Sequence, residues 1–173
     1  GQPTILGAGV DSEDAFLGVL WYEPERFGDF ELRVQWRSFS PFANGGIFMR
    51  APEPSGNLFQ AGGFYDTALE VQIDERGFDP DSGAAGSQSH KTGSLYSRLP
   101  ANRSCTRATS PRDGRPGFWN EFRIRIQGSM IEVRLNDEVV CQGTHGASLA
   151  TGVIGLQCHT EVVQYRNLRI KRL

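Results

Sequence analysis

Between positions 30 and 37 the chain alternates without a break. Phe30, Leu32, Val34 and Trp36 are set against Glu31, Arg33, Gln35 and Arg37. A period of two marks a half-buried strand, because a helix repeats every 3.6 residues. The same period recurs with Phe118, Phe122, Ile124 and Ile126 on one parity and Arg123, Arg125 and Gln127 on the other. It recurs again with Ile131, Val133 and Leu135 against Glu132, Arg134 and Asn136. Gln127-Gly128-Ser129 predicts a tight hairpin between these two strands, and Asn136-Asp137 a second turn before Val139-Val140. Shorter strands are predicted at 46–50, 69–74, 94–96, 153–159 and 162–170. Helix is scarce, with one turn at most at 12–17. Gly, Pro, Asn, Ser and Asp collect in 51–67, 76–92 and 99–117, which read as long loops. Such loops carry binding functions on a rigid scaffold, or serve as plain connections. Many short strands with no long helix predict a single all-β domain over 1–173, a sandwich or a barrel.

Parity also places side chains on faces. Val71 and Ile73 take the apolar side of 69–74, which leaves Glu70, Gln72 and Asp74 opposite. Ile47 and Met49 leave Gly46, Phe48 and Arg50 opposite. Ile154, Leu156 and Cys158 leave Gly155, Gln157 and His159, and Leu95 leaves Tyr96. If these strands share a sheet, carboxylate, amide, guanidinium, imidazole and phenol groups form a polar floor with aromatic walls. That mixture suits a sugar, which offers hydroxyls and C–H faces. A solvated outer face is the plainer reading of the same parity. Trp119 and Tyr165 read as packing residues.

Composition narrows the field. The chain has 21 Gly in 173 residues, which fits many turns and excludes a helical bundle. Its 18 basic and 20 acidic residues give a net charge of −2, which argues against a nucleic-acid partner. No apolar run approaches the roughly 20 residues of a membrane span. No charged start followed by an apolar core is visible at Gly1, so no signal peptide is read; the expected location is extracellular or periplasmic. The three cysteines, Cys105, Cys141 and Cys158, lack metal or redox spacing. A Cys105–Cys141 disulfide is open to an exported protein. The sequon at Asn102 is too short to carry weight. There is no G-x-S-x-G elbow, no phosphate-binding glycine motif and no histidine pair at metal-ligand spacing.

The ordered set Leu20-Trp21, Phe27-Gly28-Asp29-Phe30-Glu31-Leu32, Asn44-Gly45-Gly46-Ile47-Phe48-Met49-Arg50, Glu70-Val71-Gln72-Ile73-Asp74, Thr92-Gly93-Ser94-Leu95-Tyr96, Trp119-Asn120-Glu121, Gly155-Leu156-Gln157-Cys158-His159 and Tyr165-Arg166-Asn167-Leu168-Arg169-Ile170 resembles the 3-keto-disaccharide hydrolase domain family. The likeness runs from about residue 16 to the end. Asp137 stands where the family usually has Gly, and Thr160 where Gly commonly follows the histidine; both bear on turns. The resemblance implies a concanavalin A-like, jelly-roll sandwich of two antiparallel sheets. It also implies action on glycosides already oxidised to a ketone at sugar carbon 3.

That chemistry sets requirements. A C3 ketone acidifies the C2 proton; a base removes it, an enolate forms, and the C1 substituent leaves by β-elimination. The site needs a base near C2, a donor or cation at the ketone oxygen and a proton source for the leaving oxygen. The candidate catalytic residues are His159 or Glu70 as base and Arg50 at the enolate. Gln72, Asp74, Tyr96, Gln157 and Phe48 are the candidate sugar contacts. A divalent cation held by carboxylate and imidazole would replace or assist Arg50 as the electrophile; no other metal site is expected. The expected partner is a sugar or glycoside. Two alternatives remain. A laminarinase-type hydrolase needs two close carboxylates, yet Glu70 and Asp74 lie about 13 Å apart on an extended strand and Gln72 stands between them. A retaining pair needs about 5–5.5 Å and an inverting pair about 6.5–9.5 Å. A carbohydrate-binding module of the same fold would need no activated base.

Overall fold

The computed structural model describes residues 18–53, 63–102, 117–146 and 149–173. The predicted turn at 12–17 lies outside them, as do 54–62 and 103–116 of the long loops. The strands are β1 (Gly18–Trp21), β2 (Phe30–Ser38), β3 (Asn44–Ala51), β4 (Leu69–Asp74), β5 (Asn120–Gln127), β6 (Met130–Leu135), β7 (Glu138–Thr144), β8 (Val153–Cys158) and β9 (Val163–Arg172). One short helix, α1 (Phe64–Thr67), interrupts the first long loop. The strands form a four-stranded sheet in the order β1-β8-β3-β4 and a five-stranded sheet in the order β7-β6-β5-β2-β9. Every pairing is antiparallel. This is a jelly-roll sandwich, as the alternation and the resemblance led us to expect.

The two inner faces meet in one apolar layer. Ile47, Met49, Leu69, Val71, Ile73, Ile154 and Leu156 come from the four-stranded sheet. Leu32, Val34, Trp36, Phe122, Ile124, Ile126 and Val133 come from the other. Trp36 and Phe122 stack with centroids 5.4 Å apart. The strong alternation of β2, β5 and β6 survives residue by residue, since each has one face in this layer and one in water.

Several expectations need correcting. Phe118 precedes β5 and is exposed. Segment 94–96 is not a regular strand; only Leu95 forms a bridge, to Val71, with Gln72 N–H donating to Ser94 and Tyr96 N–H to Glu70. It lines the free edge of β4 all the same. β1 has no alternation to announce it, and pairs with β8 alone. Cys141 is a free, buried thiol whose Sγ donates to the Leu99 carbonyl, in place of a disulfide to Cys105. Cys105 lies outside the described residues. No helix among the described residues is long and apolar enough to cross a membrane.

A second, smaller apolar cluster lies on the outward side of the four-stranded sheet. Phe48, Ala51 and Val153 are covered there by Phe64 and Ala68, with Val19 and Tyr65 packed against them. It roofs one half of that face and leaves the other half to polar groups.

Candidate functional site

The polar half is built around β3, a strand poor in side-chain bulk. Gly46 pairs with Gln72 on one side, and Phe48 pairs with Glu70. A Cβ at position 46 would collide with the Glu70 carboxyl, so that carboxyl lies over the glycine. Gln157 flanks Gly46 from β8. Tyr165 Oη reaches across the core from β9 to the carbonyls of Gly46 at 3.4 Å and Gln157 at 3.0 Å, tying the two strands together beneath the face. Tyr165 is thus a packing residue with a supporting hydrogen bond. One step further along the strands, Asn44 pairs with Asp74 and its N–H donates to Thr160, the neighbour of His159. Glu70, Gln72 and Gln157 therefore share one face, and His159 follows the end of β8, close enough to Asp74 to feel its charge. Tyr96 closes the edge of that face, because its backbone is bonded to Glu70.

Burial decides the protonation of these groups. Glu70 as a residue is half-buried, yet its Oε1 is closed off from solvent and has no hydrogen-bond partner. Burial pushes its pKa up to about 8, so the carboxyl is mostly protonated at neutral pH. Burial acts in the opposite sense on His159. It holds the imidazole below its ordinary range, partly opposed by the Asp74 charge, and so keeps the ring neutral. Burial, and then the nearness of the Glu70 charge, raises the phenols of Tyr96 and Tyr65. Both remain donors. Gln157 is buried with an unpartnered Oε1, whereas Gln72 Oε1 accepts the N–H of Ile73.

Three expected site residues are placed elsewhere or engaged elsewhere. Arg50 leaves the face. A register break between Phe48 and Ala51 and a φ of +46° at Arg50 turn its side chain away from the strand parity. Its guanidinium donates to the carbonyls of Gly28 and Gly128 and to Asp29 Oδ1 at 3.0 Å, with His145 alongside. Gly152 permits the bulge, since a Cβ there would strike the backbone of Arg50 and Ala51. Phe48 is on the predicted side but is 1% exposed, packed against Phe64 at 4.9 Å and Tyr65 at 5.4 Å between centroids. It cannot offer a bare ring to a sugar. Asp74 accepts the N–H groups of Arg76, Gly77 and Phe78, so its carboxylate organises the turn that follows β4.

Sequence reasoning missed Tyr65 and His90, both in stretches read as loop. The pair Phe64-Tyr65 was the available signal, two adjacent aromatics in a segment otherwise rich in Gly and Pro. His90 is buried against Tyr96, ring centroids 4.9 Å apart, and held between Ser87 Oγ at 2.7 Å and Ser97 Oγ at 2.9 Å. It braces the Tyr96 ring. Among the described residues no group of three or more His, Cys, Asp and Glu is placed to hold a metal ion.

A candidate glycosyl hydrolase from Parabacteroides distasonis is similar with a TM-score of 0.72 at 18% identity, over 98% of this chain and 81% of that one. The carbohydrate-binding module CBM66 from Bacillus subtilis is similar with a TM-score of 0.57 at 11% identity, over 97% and 94%. These likenesses concern the fold. The chain itself belongs to the 3-keto-alpha-glucoside-1,2-lyase-like domain family, which it matches over residues 7–171. It is 25% identical to the 3-keto-disaccharide hydrolase of Bacteroides thetaiotaomicron, across 95% of this chain and 65% of that protein's length.

Proposed function

We propose that this chain cleaves 3-keto-glycosides, with neutral His159 as the base at C2 and protonated Glu70 as the acid at the leaving oxygen. What supports the reading is that burial favours opposite protonation states in Glu70, on the outward side of β4 with its Oε1 closed off from solvent, and His159, just past the end of β8. Burial leaves an imidazole able to accept a proton and a carboxyl able to give one. His159 takes the C2 proton, and the C–H electron pair becomes the enolate. As the ketone re-forms, C1=C2 is made, the C1–O bond breaks, and the departing oxygen takes the Glu70 proton. Water adding at C1 then returns one proton to Glu70, while His159 returns the other to C2. The amides of Gln72 and Gln157 and the phenol of Tyr96 are the donors near at hand for the enolate oxygen and the hydroxyls. Arg50 has no part in this. A two-carboxylate hydrolase fits less well, because Asp74 is engaged by the backbone of its own turn.

The test offers the protein a 3-keto-glycoside and its unoxidised parent side by side. Cleavage of the keto form alone supports elimination. Cleavage of the parent supports a conventional hydrolase, and binding without turnover supports a carbohydrate-binding module.

A further inference from the structure

The opposite side of the sandwich carries a second feature that the proposed chemistry does not use. On the outward face of the five-stranded sheet four arginines stand side by side in one rung. Arg169 of β9 pairs with Arg33 of β2, Arg33 with Arg123 of β5, and Arg123 with Arg134 of β6. The adjacent rung runs Lys171, Glu31, Arg125, Glu132. On the other side Arg166 and Glu121 flank Gln35. With Arg37, strands β9, β2, β5 and β6 carry eight cations and three carboxylates on this face, and Asp137 of the β6–β7 turn lies near its Arg123–Arg134 end. The whole chain has a net charge of −2. The surplus is therefore segregated onto one surface.

Like charges directly opposite across a sheet are destabilising, and three such pairs in succession are costly to the fold on its own. The carboxylates present do not relieve it fully. Glu31 takes Arg123 at 2.8 Å and lies 3.6 Å from Arg33, Glu121 is 3.5 Å from Arg33, and Glu132 takes Arg134 at 2.7 Å. Arg125, Arg169 and Lys171 are exposed and make no ion pair among the described residues. Four neighbouring strands give a cationic row about 14 Å long.

We propose that this face binds an acidic polysaccharide, whose carboxylates or sulfates lie along the Arg169–Arg33–Arg123–Arg134 row. Guanidinium forks match planar oxyanions in a way that ammonium groups do not, and seven of the eight cations are Arg. Single-stranded nucleic acid asks for open aromatic platforms. The aromatic rings beside this face are already engaged by its own arginines, Trp119 by Arg166 at 3.8 Å and Arg37 at 4.5 Å, and Phe39 by Arg37 at 5.0 Å. A membrane surface asks for apolar residues to insert, and the centre of the face has none.

The test is titration calorimetry of the whole chain with an oligogalacturonate, set beside a neutral glucan oligomer of equal length, a single-stranded oligonucleotide and anionic phospholipid vesicles. The oligogalacturonate should bind best, and raising salt from about 50 to about 200 mM should weaken it at least tenfold. Replacing two of the exposed arginines without carboxylate partners, Arg125→Gln with Arg169→Gln, should weaken it by about tenfold again and flatten its salt dependence. Lys171→Gln alone serves as a milder variant. Oligogalacturonate should also raise the melting temperature of the parent more than that of the double variant. Equal binding of the acidic and neutral oligomers, unchanged affinity in the variants, or tighter binding of the oligonucleotide or vesicles would overturn the proposal. Because the row lies on the other sheet from Glu70, these outcomes are independent of whether keto-glycosides are cleaved.

Discussion

The Glu70 carboxyl rests on Gly46, its diagonal neighbour on β3, so closely that a methyl group at position 46 would overlap Oε1. Only glycine leaves that volume to the acid. Gly46→Ala should keep the fold, because the group that must give way is the end of a flexible side chain and no left-handed backbone is involved. It should lower kcat on a 3-keto-glycoside at least tenfold, since a displaced acid no longer meets the leaving oxygen. Circular dichroism melts and turnover of the same preparation check both halves.

Burial of Glu70 also writes a pH dependence into stability. Its folded pKa of about 8 lies above the ordinary carboxyl value near 4.5, so the folded state holds the proton longer than the unfolded chain. No cost exists below about pH 4.5. The cost grows as pH rises from there to about 8 and then levels off. Glu70→Gln should therefore be more stable than the parent at pH 8, by about 2–4 kcal/mol, and equally stable at pH 4. A constant difference across the range would show that the carboxyl is solvated.

Activity should follow a bell. The rising limb belongs to His159 losing its proton, below the ordinary imidazole value of 6.5, and the falling limb to Glu70 losing its own near 8. In Glu70→Gln the falling limb should vanish along with most of the rate. A profile still rising steadily past pH 9 would place the acid elsewhere.

Arg50→Met should behave as a stability variant. The guanidinium ties Gly28, Asp29 and the Gly128 hairpin together across the two sheets. Its loss leaves partly buried carbonyls without this donor and should cost about 1–3 kcal/mol. Activity below the melting temperature should stay within a few-fold of the parent. Ile73→Ala, in the inter-sheet layer, should cost about 2–5 kcal/mol without touching the acid or the base.

These particulars show where strand parity is a sufficient guide. Glu70, Gln72 and Gln157 fall on one face because β4 and β8 are regular there, and alternation is all that is needed. Arg50 breaks the rule because its side is set by a bulge, and the bulge depends on Gly152, just before β8 and a hundred residues away. No local pattern reports that. Phe48 lies on the expected side, but its cover comes from α1, a single helical turn too short for any period to show. Asp74 looks like its neighbour two residues back until the following turn supplies three N–H groups. The protonation of Glu70 is invisible in the sequence as well, since it comes from what closes over Oε1.

The most direct measurement of the central claim follows the C2 proton rather than the product. A 3-keto-glycoside is incubated in deuterated buffer with the parent, His159→Ala and Glu70→Gln, and deuterium at C2 of the recovered substrate is read by NMR. If His159 is the base and Glu70 the acid, Glu70→Gln still exchanges the C2 proton while cleaving little, and His159→Ala does neither. Exchange that persists in His159→Ala and disappears in Glu70→Gln would contradict the assignment.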